Sequence, residues 1–477
     1  MRNLWLLSSL VSFGCASAPG YRPPQVEVPA AFREMTDTVI ATPTAEAPGS
    51  LTVGELGVGD TTLARLIQEA VRANLDVRAA EARVRGARSA RTEAALDFAP
   101  TVTVAGGYTR QRLAGATFPI GSGVFPDQNI WDAGFDASWE LDLFGRVRRN
   151  VQAQGAFLAV NQEDLRDVRV SLSAEVARAY FELRGAQEQL SVAAQNAANQ
   201  QRTLQVTRQR LDAGRGTAFD TERAQAQLSF TLATIPVLEA QVRQAQYQIG
   251  VLVGRPPAAL ARELDPVVAL PALPATISIE SPDSIIRRRP DVMAAERQLA
   301  VERALVGAAK ADYLPRITVG GSAGYSAGSF DALGDRGTFR YAVGPIISWP
   351  ALNLGRVKAR VDISRAREAE AQAQYSQTVL LALQEVENAL VRYRTSHSRV
   401  ERIQDAASAS ERAAELARLR FSGGVADFLQ VLDAERTQLE AQSQLAQGRT
   451  EAATAYAALY KALGGTWPSV TVGEVRQ

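Results

Sequence analysis

The stretches Asp76–Val104 and Asp291–Val319 align without a gap over 29 residues, 11 of them identical. The correspondence continues at an offset of 210 residues: Trp139 and Gly145 match Trp349 and Gly355, Gly214 matches Gly424, and Gly254 matches Gly464. Two halves of about 190 residues each are too long for solenoid repeats, so the chain is a duplicated domain. Whatever one half builds, the other must build again. The boundaries read from the sequence are a signal peptide over 1–14, a Pro-rich N-terminal tether over 15–60, a first repeat over 61–254, a linker over 255–282 and a second repeat over 283–477.

Each half opens with a helical stretch, Leu63–Leu96 and Asp291–Tyr313, closed by Pro100 and Pro315. Strands follow. Val102, Val104 and Tyr108 share one face of the first; Ile317, Val319 and Tyr325 share one face of its copy. From Asp132 to Leu141 the alternation is complete, with Ala133, Phe135, Ala137, Trp139 and Leu141 opposed to Asp132, Gly134, Asp136, Ser138 and Glu140. Phe339, Tyr341, Val343, Ile347 and Trp349 repeat the pattern. Period two with one apolar face marks a sheet. Strands near ten residues long with aromatic ends fit a lipid-facing barrel wall.

Long helices come next. Arg146–Leu211 contains no Pro and would extend roughly 100 Å at about 1.5 Å per residue; Arg356–Phe421 repeats it. Helices of that length need coiled-coil partners. Leu383, Val386, Leu390, Tyr393, His397 and Val400 supply a seam spaced 3-4-3-4-3. Gly-containing turns reverse the chain at Arg210–Asp220 and Arg420–Gln430, and return helices run to Val253 and Leu463. Pro236 is expected to kink or split the first of these.

One chain offers four strands, whereas a closed membrane barrel needs about eight or more, and lipid does not tolerate an open sheet edge. Four strands therefore demand oligomerisation. The expected class is an α+β membrane protein in which a trimer would give a twelve-strand β-barrel, four strands per chain, that a long α-helical coiled-coil barrel could continue. The repeat exists because a cylinder is built of equivalent staves.

Composition excludes other classes. Charge is balanced, 52 basic against 51 acidic residues, so no nucleic-acid surface is expected. One His and one Cys give no basis for a metal site or an internal disulfide, and His397 falls in the seam. No nucleophile–base set, phosphate loop or carboxylate pair stands out, so no enzymatic activity and no cofactor is expected. The N-terminus carries Arg2, an apolar run from Leu4 to Phe13, and Cys15 directly after Gly14, the form of a lipoprotein signal. Ala16 carries no Asp signal for inner-membrane retention, which directs the chain to the outer membrane.

The stretches "FGRVRR" (Phe144–Arg149), "RRPDV" (Arg288–Val292), "ADYLP" (Ala311–Pro315), "VLDAERTQL" (Val431–Leu439) and "YKALGGTW" (Tyr460–Trp467) resemble the TolC/OprM-like outer-membrane efflux channels, in their NodT-type lipoprotein branch. The resemblance covers essentially the whole mature chain. It implies a homotrimer in the outer membrane of a Gram-negative bacterium, anchored in outer-membrane lipid and extending into the periplasm. The partners it implies are a periplasmic adaptor and an inner-membrane transporter of RND type, for which the channel is a passive exit duct for small molecules. A channel for type I protein secretion and a non-conducting scaffold are the competing readings. Leu429, Asp433 and Arg436 lie at i, i+4 and i+7 on the last return helix and match the family's gate. Threefold symmetry makes each a ring: the Leu ring dewets, the Asp ring favours cations, and Arg436 pairs with Asp433 or a neighbouring chain. The turns around Gly214 and Gly424, with Leu211 and Phe421 as apolar contacts, match the tips that face the adaptor.

The anchor is directly testable. Mass spectrometry of the mature N-terminus should find lipid on Cys15, and Cys15→Ser should reduce outer-membrane retention without abolishing assembly, because each buried acyl CH₂ adds about 0.8 kcal/mol. An unmodified N-terminus beyond residue 15 would refute the assignment.

Overall fold

The computed structural model describes residues 27–36, 40–41, 56, 59–113, 126–274 and 277–465. The signal sequence, Cys15 and Trp467 lie outside the described residues. The helices are α1 (Thr61–Ala73), α2 (Leu75–Leu96), α3 (Arg146–Asp212), α4 (Ala218–Leu252), α5 (Ala261–Leu264), α6 (Pro282–Arg288), α7 (Pro290–Ala311), α8 (Leu354–Ser422) and α9 (Phe428–Ala462). The strands are β1 (Ile40–Ala41), β2 (Thr101–Gln111), β3 (Gln128–Leu141), β4 (Ile277–Ser278), β5 (Arg316–Ala327) and β6 (Phe339–Ser348). They group into two compact units, one holding residues 83–162 and 294–376, the other 26–82, 163–293 and 377–477.

The first unit contains a four-stranded antiparallel sheet in the order β2-β3-β5-β6. The hairpin registers are copies. Val102 faces Ala137 in β2–β3, and the repeat offsets convert that pair into Ile317 facing Ile347, which is the β5–β6 register. Tryptophan fixes the entry to both hairpins: the indole N–H of Trp139 donates to the Phe98 carbonyl at 2.9 Å, and that of Trp349 to the Tyr313 carbonyl at 3.0 Å. The helices before the strands end earlier than their prolines. α2 stops at Leu96 and α7 at Ala311, and single-turn bonds such as Ala99 N–H to Leu96 O carry the chain on.

The second unit is helical. The expected helix Leu63–Leu96 is two helices, broken at Asn74. Asp60 starts α1 by accepting from the N–H groups of Thr62 and Leu63, and its other oxygen accepts the Tyr180 hydroxyl at 2.6 Å. Leu63, Leu66, Ile67 and Ala70 form the buried stripe of α1. Asn74 then leaves helical geometry (ψ 139°), and its Oδ1 caps α2 by accepting from Asp76 N–H at 2.8 Å.

Asn74 also closes the first repeat. Its side-chain amide donates to the Leu252 carbonyl, at the end of α4, at 2.9 Å. The repeat offsets turn Asn74 and Leu252 into Arg289 and Ala462, and Arg289 Nη1 donates to the Ala462 carbonyl at 2.6 Å. Carbonyls in the last turn of a helix lack intrahelical partners, and both return helices meet that need from the residue that opens the next helix. Arg289 is 6 % exposed and also holds Asp291 and Glu385. Beside it, Arg288 Nη2 donates to the Leu463 carbonyl at 3.2 Å. The "RRPDV" motif is thus the cap of the "YKALGG" helix end. Gly254 and Gly464, both at positive φ, make the turns that allow this. A Cβ on Gly254 would lie 2.6 Å from the Ala73 carbonyl oxygen.

The seam of α8 is as the spacing predicts: Val386, Leu390 and Tyr393 are fully buried and Leu383 packs beside them, while His397 stacks on Tyr393 with its side chain partly exposed. Two expectations fail. Pro236 does not split α4, which continues through it; the exposed position lets water serve the carbonyl it frees. The 15–60 tether is pinned at its described residues: Phe32 and Leu56 are in the core, Glu34 pairs with Arg394, and β1 pairs with β4. The linker is likewise packed, with Leu260, Leu264 and Ile279 buried.

Arg289→Ala should lower stability by about 2–3 kcal/mol, since charge-assisted hydrogen bonds are lost and the Ala462 carbonyl stays buried. Asn74→Ala should cost about 1 kcal/mol, the value of a cap. Denaturant melts followed by circular dichroism check both. Equal, negligible losses would show that the junctions are not held by these side chains.

Candidate channel wall and gate

The ladders of the four-stranded sheet decide which residues share a face. Val102, Val104 and Tyr108 align with Ala137, Phe135 and Trp131; these align with Gly321, Ala323 and Ala327. Across β5–β6, Ile317, Gly321, Ala323 and Tyr325 align with Ile347, Val343, Tyr341 and Phe339. One face is therefore apolar across all four strands up to the Arg110–Asn129 pair at one end, and most of its large side chains are exposed, Val104 and Val343 each at 76 %. The opposite face carries Thr103, Asp132, Asp136, Glu140, Thr318, Ser322 and Arg340, with an Arg340–Asp132 ion pair at 3.3 Å. Gly134 and Gly324 face each other there, and a Cβ on Gly324 would lie 2.4 Å from the Ala133 carbonyl oxygen.

Aromatic rings sit at both ends of the strands. Tyr108, Trp131 and Phe330 form one cluster, with Tyr325, Phe339 and Tyr341 beside it in sequence register; Trp139 and Trp349 occupy the other ends. An exposed apolar face, a polar face behind it and two aromatic borders are the pattern of a membrane barrel strand set. The outer edges of β2 and β6 have no strand partner among the described residues. No described helix is long and apolar enough to cross a membrane.

In the helical unit, both reversals use one geometry. Gly214 (φ 68°) donates to Leu211 O and Arg215 N–H to Arg210 O; Gly424 (φ 75°) donates to Phe421 O and Val425 N–H to Arg420 O. This is the Schellman pattern. Thr217 and Asp427 then cap α4 and α9 by accepting from Asp220 N–H and Gln430 N–H. The hairpins also repeat a side-chain bond: Arg208 to Gln225 at 3.0 Å, and Arg418 to Glu435 at 3.4 Å.

Of the two apolar contacts expected at the tips, Phe421 is corrected and Leu211 is not. Phe421 is buried, packed on Phe428 at 5.8 Å and covered by the Arg210 guanidinium at 4.3 Å. Leu211 is half-buried. The exposed apolar groups near the turns include Phe219, Leu419 and Val425. The helix period of the sequence marked Phe421 as apolar; it did not say that Ala197, Leu204 and Leu228 would enclose the same cluster.

The stripe Leu429, Asp433 and Arg436 is exposed along its length, so the three side chains do share an open face of α9. The Asp433–Arg436 pair expected within a chain is absent among the described residues; Thr437 instead bonds the Asp433 backbone carbonyl. An i, i+3 spacing permits such a pair but contributes only a few tenths of a kcal/mol. Sequence reasoning missed the carboxylate on the opposite face. Glu435 is 3 % exposed, accepts the Thr203 hydroxyl at 2.8 Å and is joined by Arg418. Two turns further on, Asn196 donates to Gln442 at 2.9 Å, and Gln200 and Gln438 are buried between these layers. The interior of the α3–α9 contact is therefore a polar ladder, flanked by the open stripe.

Phe421→Asp should destabilise the tip, because a charge would replace a buried ring; loss of such a ring alone costs about 3–5 kcal/mol. Limited proteolysis should show new cleavage around residues 420–427, while Val425→Asp should leave the turn resistant. Equal resistance of both variants would contradict this packing.

The family model described as "Outer membrane efflux protein" matches residues 66–255 and 281–465. The chain is 28% identical to Nodulation protein T of Rhizobium leguminosarum bv. trifolii, over 97% of each chain. It is 32% identical to outer membrane protein OprJ of Pseudomonas aeruginosa, over 69% of this chain and 68% of the relative. Among solved structures, the outer-membrane channel OprN superposes with a TM-score of 0.87 at 36% identity, covering 95% of this chain and 99% of that one. With an apolar-faced sheet, paired helical hairpins and this agreement along its length, the chain belongs to the outer membrane efflux protein family and is an efflux channel of the outer membrane.

Proposed function

We propose that three copies of the chain close a twelve-stranded barrel and a helical tube, forming the passive exit duct of a tripartite pump. The observation that carries this reading is the four-stranded sheet with one apolar face and two outer strands unpaired among the described residues. Four strands cannot close, and lipid does not accept free edges, so copies must supply the missing neighbours. A periplasmic adaptor and an inner-membrane transporter, of RND type, complete the pump; the cargo is small molecules, chosen by the transporter. Lipid on Cys15 adds an anchor to the barrel. The adaptor docks at the exposed turns around Gly214 and Gly424, with Val425 and Phe219 as its apolar contacts in place of the buried Phe421.

Leu429, Asp433 and Arg436 form the constriction. Because Asp433 and Arg436 make no ion pair with each other in the chain, the charges are available to neighbouring copies. Three exposed pairs, each worth up to about 1 kcal/mol, are enough to bias a gate for which ~1.4 kcal/mol is a tenfold change in open population. Asp433→Ala should raise single-channel conductance several-fold in a planar bilayer and reduce cation preference; Leu429→Ala should add to the leak by widening the dry ring. Current and reversal potential in asymmetric salt are the readout. Unchanged conductance and selectivity in both variants would remove the stripe from the gate.

A further inference from the structure

The apolar face of the sheet ends on two arginines. Along β2 the residues of that face run Val102, Val104, Gly106, Tyr108 and Arg110, and Arg112 follows just beyond the strand end. Both side chains are open to the outside, Arg110 at 65 % and Arg112 at 62 % exposure. Asp127, on the returning side of the hairpin, lies between them. It accepts from the Arg110 guanidinium at 3.0 Å and from the Arg112 guanidinium at 2.6 Å. Residues 113–126 contain no ionisable side chain, so two cations share one carboxylate and this end of the hairpin keeps a net positive charge.

We propose that Arg110 and Arg112 bind the phosphates of an anionic lipid headgroup at the end of the barrel away from the helices. The inference rests on the barrel reading above and adds a ligand to it. β3 passes into α3 within a few residues of Trp139, so Arg110 stands at the opposite end, where the outer leaflet supplies a phosphorylated glycolipid. The height fits. Nine residue steps of about 3.4 Å, tilted by about 40°, put Arg110 roughly 23 Å above Thr101. The apolar band of a membrane barrel is about 25 Å tall, so the guanidiniums reach headgroups rather than hydrocarbon. Tyr108 and Trp131, with ring centroids 4.6 Å apart, mark the border directly below. The Tyr108 hydroxyl bonds Asn129, the residue paired with Arg110. Apolar, then aromatic, then cationic is the order of a strand that leaves hydrocarbon for a headgroup layer.

The chemistry fits as well. A guanidinium presents five N–H donors in a planar fork that matches phosphate oxygens, and Asp127 uses only part of the two sets. Exposed ion pairs add little to stability, so closing the hairpin does not account for two arginines. Arg316 and Arg340, the other cations of the sheet strands, lie on the polar face and pair there with Asp312 at 2.7 Å and Asp132 at 3.3 Å. The second repeat supplies an internal comparison. The repeat offsets turn the Arg110–Asn129 pair into Tyr325–Phe339, two rings 5.7 Å apart, and Asp127 into Gly337. The same place in the same ladder accepts an aromatic pair, so the fold does not require the arginines.

The test is native mass spectrometry of the purified full-chain trimer in an uncharged detergent, titrated with lipid A carrying both phosphates and with lipid A from which both have been removed. The phosphorylated form should bind, and the dephosphorylated form should bind several-fold more weakly. Arg110→Gln with Arg112→Gln should weaken binding of the phosphorylated form about tenfold, since each cation near an anionic headgroup contributes roughly a fivefold gain. Arg110→Lys with Arg112→Lys keeps both charges and should retain most of the binding. Millimolar inorganic phosphate should not displace the lipid. Equal binding by the glutamine variant, equal binding of the two lipids, or displacement by inorganic phosphate overturns the site; the last outcome marks a site for free anions. The same spectra report the oligomer. A monomer that still discriminates the two lipids overturns the trimer and keeps the site, whereas a trimer that does not discriminate overturns the site alone.

Discussion

A peptide group in hydrocarbon has no partner except another peptide group. That constraint governs the sheet and, through it, the chain. The apolar face from Val102 to Ile347 suits lipid, but the outer edges of β2 and β6 do not. The chain resolves half of the conflict itself by pairing β3 with β5, which joins its two repeats edge to edge. The remaining edges, on β2 and β6, have no strand partner among the described residues, so the other half of the conflict stays open in the single chain.

Duplication extends to the smallest joints. Trp139 and Trp349 secure the strand entries, Asn74 and Arg289 hold the last carbonyls of the return helices, and Gly214 and Gly424 reverse the long helices. The chemistry has diverged where the geometry has not. Asn74 makes a neutral cap, whereas Arg289 makes the same bond and adds Asp291 and Glu385. A planar guanidinium offers donors enough for a carbonyl and two carboxylates. The second joint is therefore the more tightly tied.

Much of this was legible because period and repeat are local. The alternation from Asp132 to Leu141 assigns a face without reference to other strands, and the repeat of Gly214 in Gly424 marks two turns of one kind. The break at Asn74 was missed because no Gly or Pro announces it; the cap on Asp76 N–H and the bond to Leu252 O make it, and the second comes from a distant residue. Phe421 and Glu435 were missed for a related reason. An amphipathic period shows that a helix has an inner side, not which of several neighbours covers each position. Phe421 lies under Arg210 from another hairpin, and Glu435 is buried by Thr203 of α3. The open stripe of α9 was legible as a stripe, since i, i+4 and i+7 need only one helix.

The ladder between α3 and α9 bears on how such long helices find their alignment. Two antiparallel helices with small apolar contacts could slide by a heptad at little cost. Here a slide would separate Asn196 from Gln442 and leave Glu435, a buried carboxylate, without the Thr203 hydroxyl. A buried polar group that loses its partner costs about 1–3 kcal/mol, while Arg418 stays with Glu435 because both belong to one hairpin. The polar layers therefore act as notches that reject misaligned hairpins within one chain. They set its two reversals level, so that Arg210 beside the first turn comes to lie over Phe421 beside the second.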